Sequence, residues 1–261
     1  MNFWRIFRVY FRLNALNELQ YRANFFMQLF NSLLDLGFGL AGLALVFSYT
    51  DTLSGWTPAQ LLVVMGVFTL ITGLTNVFIQ PNMARLIDGV GEGTLDFTLV
   101  KPEDSQLLVS VTEFQIWKLI DLVLGLIVLG VALTQLGSTL GIGQALLFVL
   151  VLLCGGAIVY CFWLMLATSA FWLIRVYEVL GLFESITQAG KWPTGIYPIW
   201  MRTLLTFLVP VAFAITVPAE ALTGRLTWET LALTLGLTIA VALISRVFWK
   251  FGVRHYSGAS A

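Results

Sequence analysis

Hydrophobic residues come along this chain in long runs that charge interrupts at few places. No Asp, Glu, Lys or Arg occurs between Asp51 and Arg85, or between Asp121 and Arg175. A membrane crossing needs about 20 apolar residues, so the first interval holds one crossing and the second supplies parts of two. Apolar runs of helical length predict spans over 24–49, 58–80, 106–136, 145–168 and 230–251. The third begins amphipathic, "LLVSVTEFQIWKLID", before it turns purely apolar. A polar stretch, 81–105, separates the second and third spans, and the turn "GSTLGIGQ" separates the third and fourth.

Residues 1–22 have helical period of a different kind. Phe3, Phe7, Tyr10, Phe11 and Asn14 share one side, opposite Arg5, Arg8 and Arg12. A basic face opposite an aromatic one predicts a helix in the membrane interface, or a cytosolic helix packed on a partner. Leu173–Arg225 allows two organisations. Hydropathy makes Thr203–Pro218 the fifth span, after a cytoplasmic linker. Alternatively 169–190 is the fifth span, despite Arg175, Glu178 and Glu184, and 195–222 is an outer re-entrant hairpin broken at Pro210. Irregular backbone at membrane depth suits the prolines Pro198, Pro210 and Pro218.

Orientation follows from Lys and Arg. The first 22 residues carry four, the Pro81–Lys118 region three and the C-terminal end three, whereas the turns at Tyr49–Pro58 and Gly137–Gln144 carry none. Both termini and the polar stretch are therefore expected in the cytoplasm, which demands an even number of crossings and makes six the expected count.

Composition agrees. The chain is 59% hydrophobic and 11% charged, against about 25% charged in soluble domains. The expected fold is an all-α polytopic membrane protein. Net charge is zero without a basic patch, which argues against a nucleic-acid partner. Cys154 and Cys161 lie seven apart in one apolar tract, where they serve as small packing residues. No signal-peptide pattern opens the chain. There is no P-loop, no H-E-x-x-H and no nucleophile elbow, and the one histidine, His255, lies in the tail. No catalytic residue, metal site or cofactor is expected in the chain itself.

The polar stretch is the first candidate site. "NMARLIDGV" and "TLDFTLV" make two amphipathic pieces hinged at Gly89, Gly91 and Gly93, and Lys101-Pro102 stops the second. This is either a solvated loop whose glycines allow positive φ or a cytoplasmic docking element. In the second case Leu86, Ile87, Leu95, Phe97 and Leu99 fill a groove on the partner while Arg85, Asp88, Asp96 and Lys101 orient it.

The pattern G-x-L-D-x-x-L-x-K-P, here "GTLDFTLVKP", after the run "PNMARLIDGVG", resembles the coupling segment of ABC type-2 transporter permeases. More narrowly the chain is similar to a bacterial branch that includes proposed exporters of viologens and other drugs. "KWPTGIYPIWMRTLLTFLVPVAFAITVPAEALTG" resembles that branch's proline-punctuated region, and "FWKFGVRHYSGASA" its ending. The resemblance covers nearly the whole chain. It implies six spans, a connecting helix at 1–22, a coupling helix within 81–105 and the re-entrant hairpin at 195–222. It also implies an ATPase contact at Arg85, Leu86, Asp88, Leu95, Asp96, Leu99, Lys101 and Pro102. The implied partners are two separate ABC ATPase subunits, which bind ATP and Mg, a second permease chain, identical or paralogous, and lipid. The implied location is the bacterial inner membrane, and the implied activity is multidrug efflux, export of a hydrophobic or cationic small molecule. A self-contained carrier or channel, or a non-transporting scaffold, are the competing classes.

Asp35 lies near the middle of the first span, where an acid costs about 2.5–3.5 kcal/mol on insertion scales. It either holds a cationic substrate or bonds a neighbouring helix. Phe26, Phe30, Trp163 and Trp172 are candidate aromatic walls for a flat organic cation, or ordinary lipid-facing and packing residues. Lys118 and Asp121, three apart, are expected to form a local ion pair.

Overall fold

A computed structural model describes residues 3–18, 22–137, 141–173, 176–208 and 212–256. All regular structure among them is helical. Five helices are long and apolar enough to cross a membrane: Ala23–Phe47, Pro58–Gly91, Ile116–Leu136, Ile142–Phe171 and Trp228–His255. The chain is an all-α polytopic membrane protein.

Helix α1 (Phe3–Glu18) precedes the long helix α2 (Arg22–Phe47). The aromatic side of α1 packs on the chain itself. Phe7 and Phe11 meet the buried ring of Phe114 edge-on, with centroids 5.2 and 5.7 Å away. Arg5, Arg8 and Arg12 are exposed, beside a second, apolar stripe of half-exposed Val9, Leu13 and Leu16.

Helix α3 (Pro58–Leu74) is the hub of the bundle. Its start is fixed by a capping box, in which Thr57 Oγ1 accepts from the Gln60 amide and Gln60 Oε1 from the Thr57 amide. Pro58 occupies the first turn, where its missing N–H costs nothing. Val63, Val64 and Val67 are fully buried. The helix continues through a π turn, Thr75–Ile79, into α4 (Gln80–Gly91). Pro81 explains the widening. A proline displaces the carbonyl four residues back, here that of Val77, and the π turn absorbs the displacement. The freed Val77 carbonyl accepts from the Gln115 amide at 3.2 Å.

After the one-turn helix α5 (Asp96–Leu99) comes α6 (Ser105–Ser110). The expected continuous helix over 106–136 is interrupted here. The backbone leaves helical form over 111–115 and resumes, after one 3-10 turn, as α7 (Leu119–Leu136). Polar side chains from remote elements take up the amides so released. Buried Asn82 accepts from the amides of Thr112 (2.8 Å) and Glu113 (2.9 Å) and donates to the carbonyls of Phe78 and Glu113, both at 2.7 Å. Glu18 accepts from the amides of Ile116 and Trp117.

Helix α7 lies against α3 at close range. A Cβ built on Gly125 would sit 3.0 Å from the backbone nitrogen of Leu70, and one on Gly66 3.1 Å from that of Leu129. Small residues at such crossings let backbones approach within a membrane. Helix α8 (Ile142–Thr168) follows. Then α9 (Val176–Thr187) runs along α3 and α4: Tyr177 reaches Asp88, Glu184 reaches Gln80, and Lys191 lies over Phe68. The chain continues through α10 (Ile199–Thr203), two π turns, Leu204–Leu208 and Ala212–Thr216, and α11 (Val217–Leu222). Pro218 follows its π turn as Pro81 follows the earlier one. The break expected at Pro210, and Arg175 in the expected fifth span, lie outside the described residues. Arg225 then closes on the Gly55 carbonyl at 2.8 Å and over the Trp56 ring at 4.4 Å, before α12 (Trp228–His255).

Candidate functional site

The polar stretch forms a compact cap at one end of the bundle. Helix α4 ends at Gly91 with Glu92 as its cap, and Gly93 takes a left-handed φ of 71° that a side chain would resist. The Leu95 amide returns to the Gly89 carbonyl at 3.1 Å. This turn folds α5 back on α4, and it decides which side chains remain outside. Leu86, Ile87 and Leu95 are buried, with Leu99 packed beside them, in a cluster that includes Met83, Leu164 and Trp249. Leu86, Ile87 and Leu95 therefore fill the chain's own core and not a surface groove, because α4 continues α3 and turns the same apolar face inward. Phe97 is 72% exposed and Val100 80%. Sequence reasoning passed over Val100, although an apolar residue just before the Lys101-Pro102 stop marks the tip.

The charged candidates divide as well. Lys101 and Pro102 are exposed and Asp96 is half-buried. Arg85 is ion-paired with Glu113, and Asp88 accepts from the Tyr177 hydroxyl at 2.5 Å. Asp104 accepts from the Leu107 amide at the start of α6 and makes a two-point pair with Arg246 of α12, one arm at 2.9 Å. Arg246 holds the Asp104 carboxyl below the usual carboxylate range. The Trp249 indole N–H donates to Ser105 at 3.2 Å. The cap is thus bonded to α9 and to the last span.

A cavity of about 480 Å³ lies between α2, α3, α7 and the Gln188–Trp192 stretch. Asp35 lines it. One turn away Gln28 donates to Ser32 at 3.1 Å, and Ser32 donates to Asp121. Asp121 therefore takes a hydroxyl from α2, and the expected Lys118–Asp121 ion pair is not among the ion pairs of the described residues. A second cavity of about 280 Å³ shares Thr72, Asn76, Lys118 and Gln188 with the first. Trp163 forms part of its wall, and Gln80 donates to Glu184 at its edge at 2.6 Å.

Of the five candidate pathway residues, Asp35 and Trp163 line cavities. Phe26 and Phe30 are 67% and 59% exposed on the outside of α2, and Trp172 stacks on Phe251 at 5.6 Å, lining neither cavity. Sequence reasoning missed the polar stripes. Gln28, Ser32 and Asp35 on α2, and Thr69 and Thr72 on α3 with Asn76 in the π turn that continues it, recur at helical spacing within apolar helices, which places each set on one face.

A family model described as "ABC-2 family transporter protein" matches residues 33–260. Comparison with curated proteins and with solved structures gave no match.

Proposed function

The chain belongs to the ABC-2 family of transporter proteins, and on that premise we propose that it is the permease half of an ATP-driven exporter in a bacterial inner membrane. Two ABC ATPase subunits bind ATP and Mg on the cytoplasmic side, where both termini and the cap of α4 and α5 lie. A second permease chain completes the pathway, with six crossings in each. The cargo is a small molecule with apolar surface and a positive group, the class that multidrug efflux removes. The chain itself catalyses nothing.

The observation that carries this reading is the bonding of the cap. A permease harnesses ATP only if motion of the ATPases reaches its spans, and that requires a stiff contact. Asp104 to Arg246, Ser105 to Trp249 and Asp88 to Tyr177 tie the cap to α12 and α9. Phe97 and Val100 stand exposed at its tip. Interface energy concentrates in a few anchors, each worth about 2 kcal/mol or more when truncated.

The test is the double substitution Phe97→Ala, Val100→Ala in the complex reconstituted with its ATPase. Insertion and melting temperature should stay at wild-type levels, because neither side chain is in the core. Substrate-stimulated ATP hydrolysis and export from cells should fall at least tenfold. Wild-type stimulation in the double variant sinks the coupling role. Ion-driven flux through liposomes without ATP would instead identify a self-contained carrier.

A further inference from the structure

The larger cavity holds two charges of opposite sign that the fold leaves unanswered. Asp35, on α2, makes no hydrogen bond or ion pair among the described residues. Lys191, from the stretch after α9, has among the described residues only the Phe68 ring, 5.6 Å from its ammonium. Both side chains line the same space of about 480 Å³. Of the other two charges along its wall, Asp121 accepts from Ser32, and Lys118, three residues before it, also faces the second cavity. Two acids and two bases make the lining neutral as a whole. An intramembrane charge with no partner costs several kcal/mol, so a ligand that answered only one of the two would leave the other stranded.

We infer that this cavity binds a zwitterionic amphiphile, with its ammonium group at Asp35, its anionic group at Lys191 and its apolar body against Phe38, Phe68 and Trp192. The volume lies within the range of small-molecule sites, about 300–1,000 Å³. Gly42 of α2 leaves the wall open two turns from Asp35, since a Cβ there would meet nothing within 4 Å, whereas the Met65 side chain already closes over Gly39. A neutral pair of charges on the ligand matches the neutral wall, which a simple cation does not. The inference rests on the permease reading, since it names that permease's cargo.

The experiment needs no ATPase, so its failure is separable from failure of coupling. The full chain in lipid nanodiscs is titrated calorimetrically with three probes of similar chain length: octyl dimethylglycine betaine, octyltrimethylammonium and octanoate. Empty nanodiscs give the blank. The betaine should bind saturably and at least tenfold more tightly than either singly charged probe. Asp35→Asn should bring the betaine down to the affinity of octanoate, and Lys191→Gln down to that of octyltrimethylammonium. Gly42→Leu, which keeps both charges and whose Cβ meets nothing within 4 Å, should weaken binding of all three by taking up part of the cavity. Equal affinity for betaine and octyltrimethylammonium, unchanged in Lys191→Gln, would overturn the inference in favour of a cation site. Heats no different from empty nanodiscs would overturn it outright.

Discussion

Asp104 performs two tasks with one carboxylate. It starts α6 by accepting the Leu107 amide, and it holds Arg246 in the last span. Its carboxyl titrates below the usual range, first because of the hydrogen bonds from Arg246. A folded-state value below the unfolded one, about 3.9, makes the contribution to stability present above that pH and lost as pH falls through the folded value. The melting temperature of purified Asp104→Asn should therefore lie below that of wild type by a constant margin from pH 8 to about 5. The margin should narrow only on further acidification. A gap that closed between pH 7 and 6 would show that another group governs it. Position 104 reads from sequence only as part of a polar stretch, since its partner lies 142 residues away.

At the scale of elements, α3 and α7 form the most extensive contact, and glycine makes its close approach possible. The site of a Cβ on Gly125 is 2.9 Å from the Leu70 side chain and 3.0 Å from its backbone nitrogen. The side chain can yield, but the backbone cannot. Gly125→Leu should force the helices apart, at the 1–3 kcal/mol typical of overpacking, about that much or more. Gly130→Leu, on the same helix with nothing within 4 Å of its Cβ, is the control. Thermal melting in detergent, followed by size-exclusion fluorescence, should show a loss of several degrees for the first and none for the second. The existence of the long helices was legible from the apolar runs, but not all of their ends: the helix expected over 58–80 continues to Gly91, and the one expected from 106 begins at Ile116. The interruption after Ser110 was not legible, because apolar period continues through Val111, Phe114 and Ile116 while the groups that hold it open, Asn82 and Glu18, come from other elements. The π turn was signalled by Pro81 alone. Half of the candidate site was legible for the same reason: Asp35 announces itself by charge, whereas the exposure of Phe97 and Val100 depends on how the Gly93 turn folds back.

For the whole molecule, the path after α8 decides the topology. From Asp88 the chain follows α3 past Gln80 to Phe68, and Arg225 later meets Gly55 at the other end. With the cap in the cytoplasm, exposed Gly195 is expected on the outer side. In a background lacking Cys154 and Cys161, Gly195→Cys should react with a membrane-impermeant maleimide in intact cells, and Thr94→Cys only after permeabilisation. Reaction of Gly195→Cys only after permeabilisation would return this stretch to the inner side. The continuous helix Pro58–Gly91 has a further mechanical meaning. Its 34 residues extend about 50 Å at 1.5 Å each, whereas the hydrocarbon layer is about 30 Å thick. Roughly two fifths of it is overhang. Gripped near Gly66 and Gly73 by α7, it runs unbroken from the cavity wall to the cap, so on the proposed permease reading it would act as a lever: a push at the tip would be geared down in distance and up in force where the helix passes the cavity.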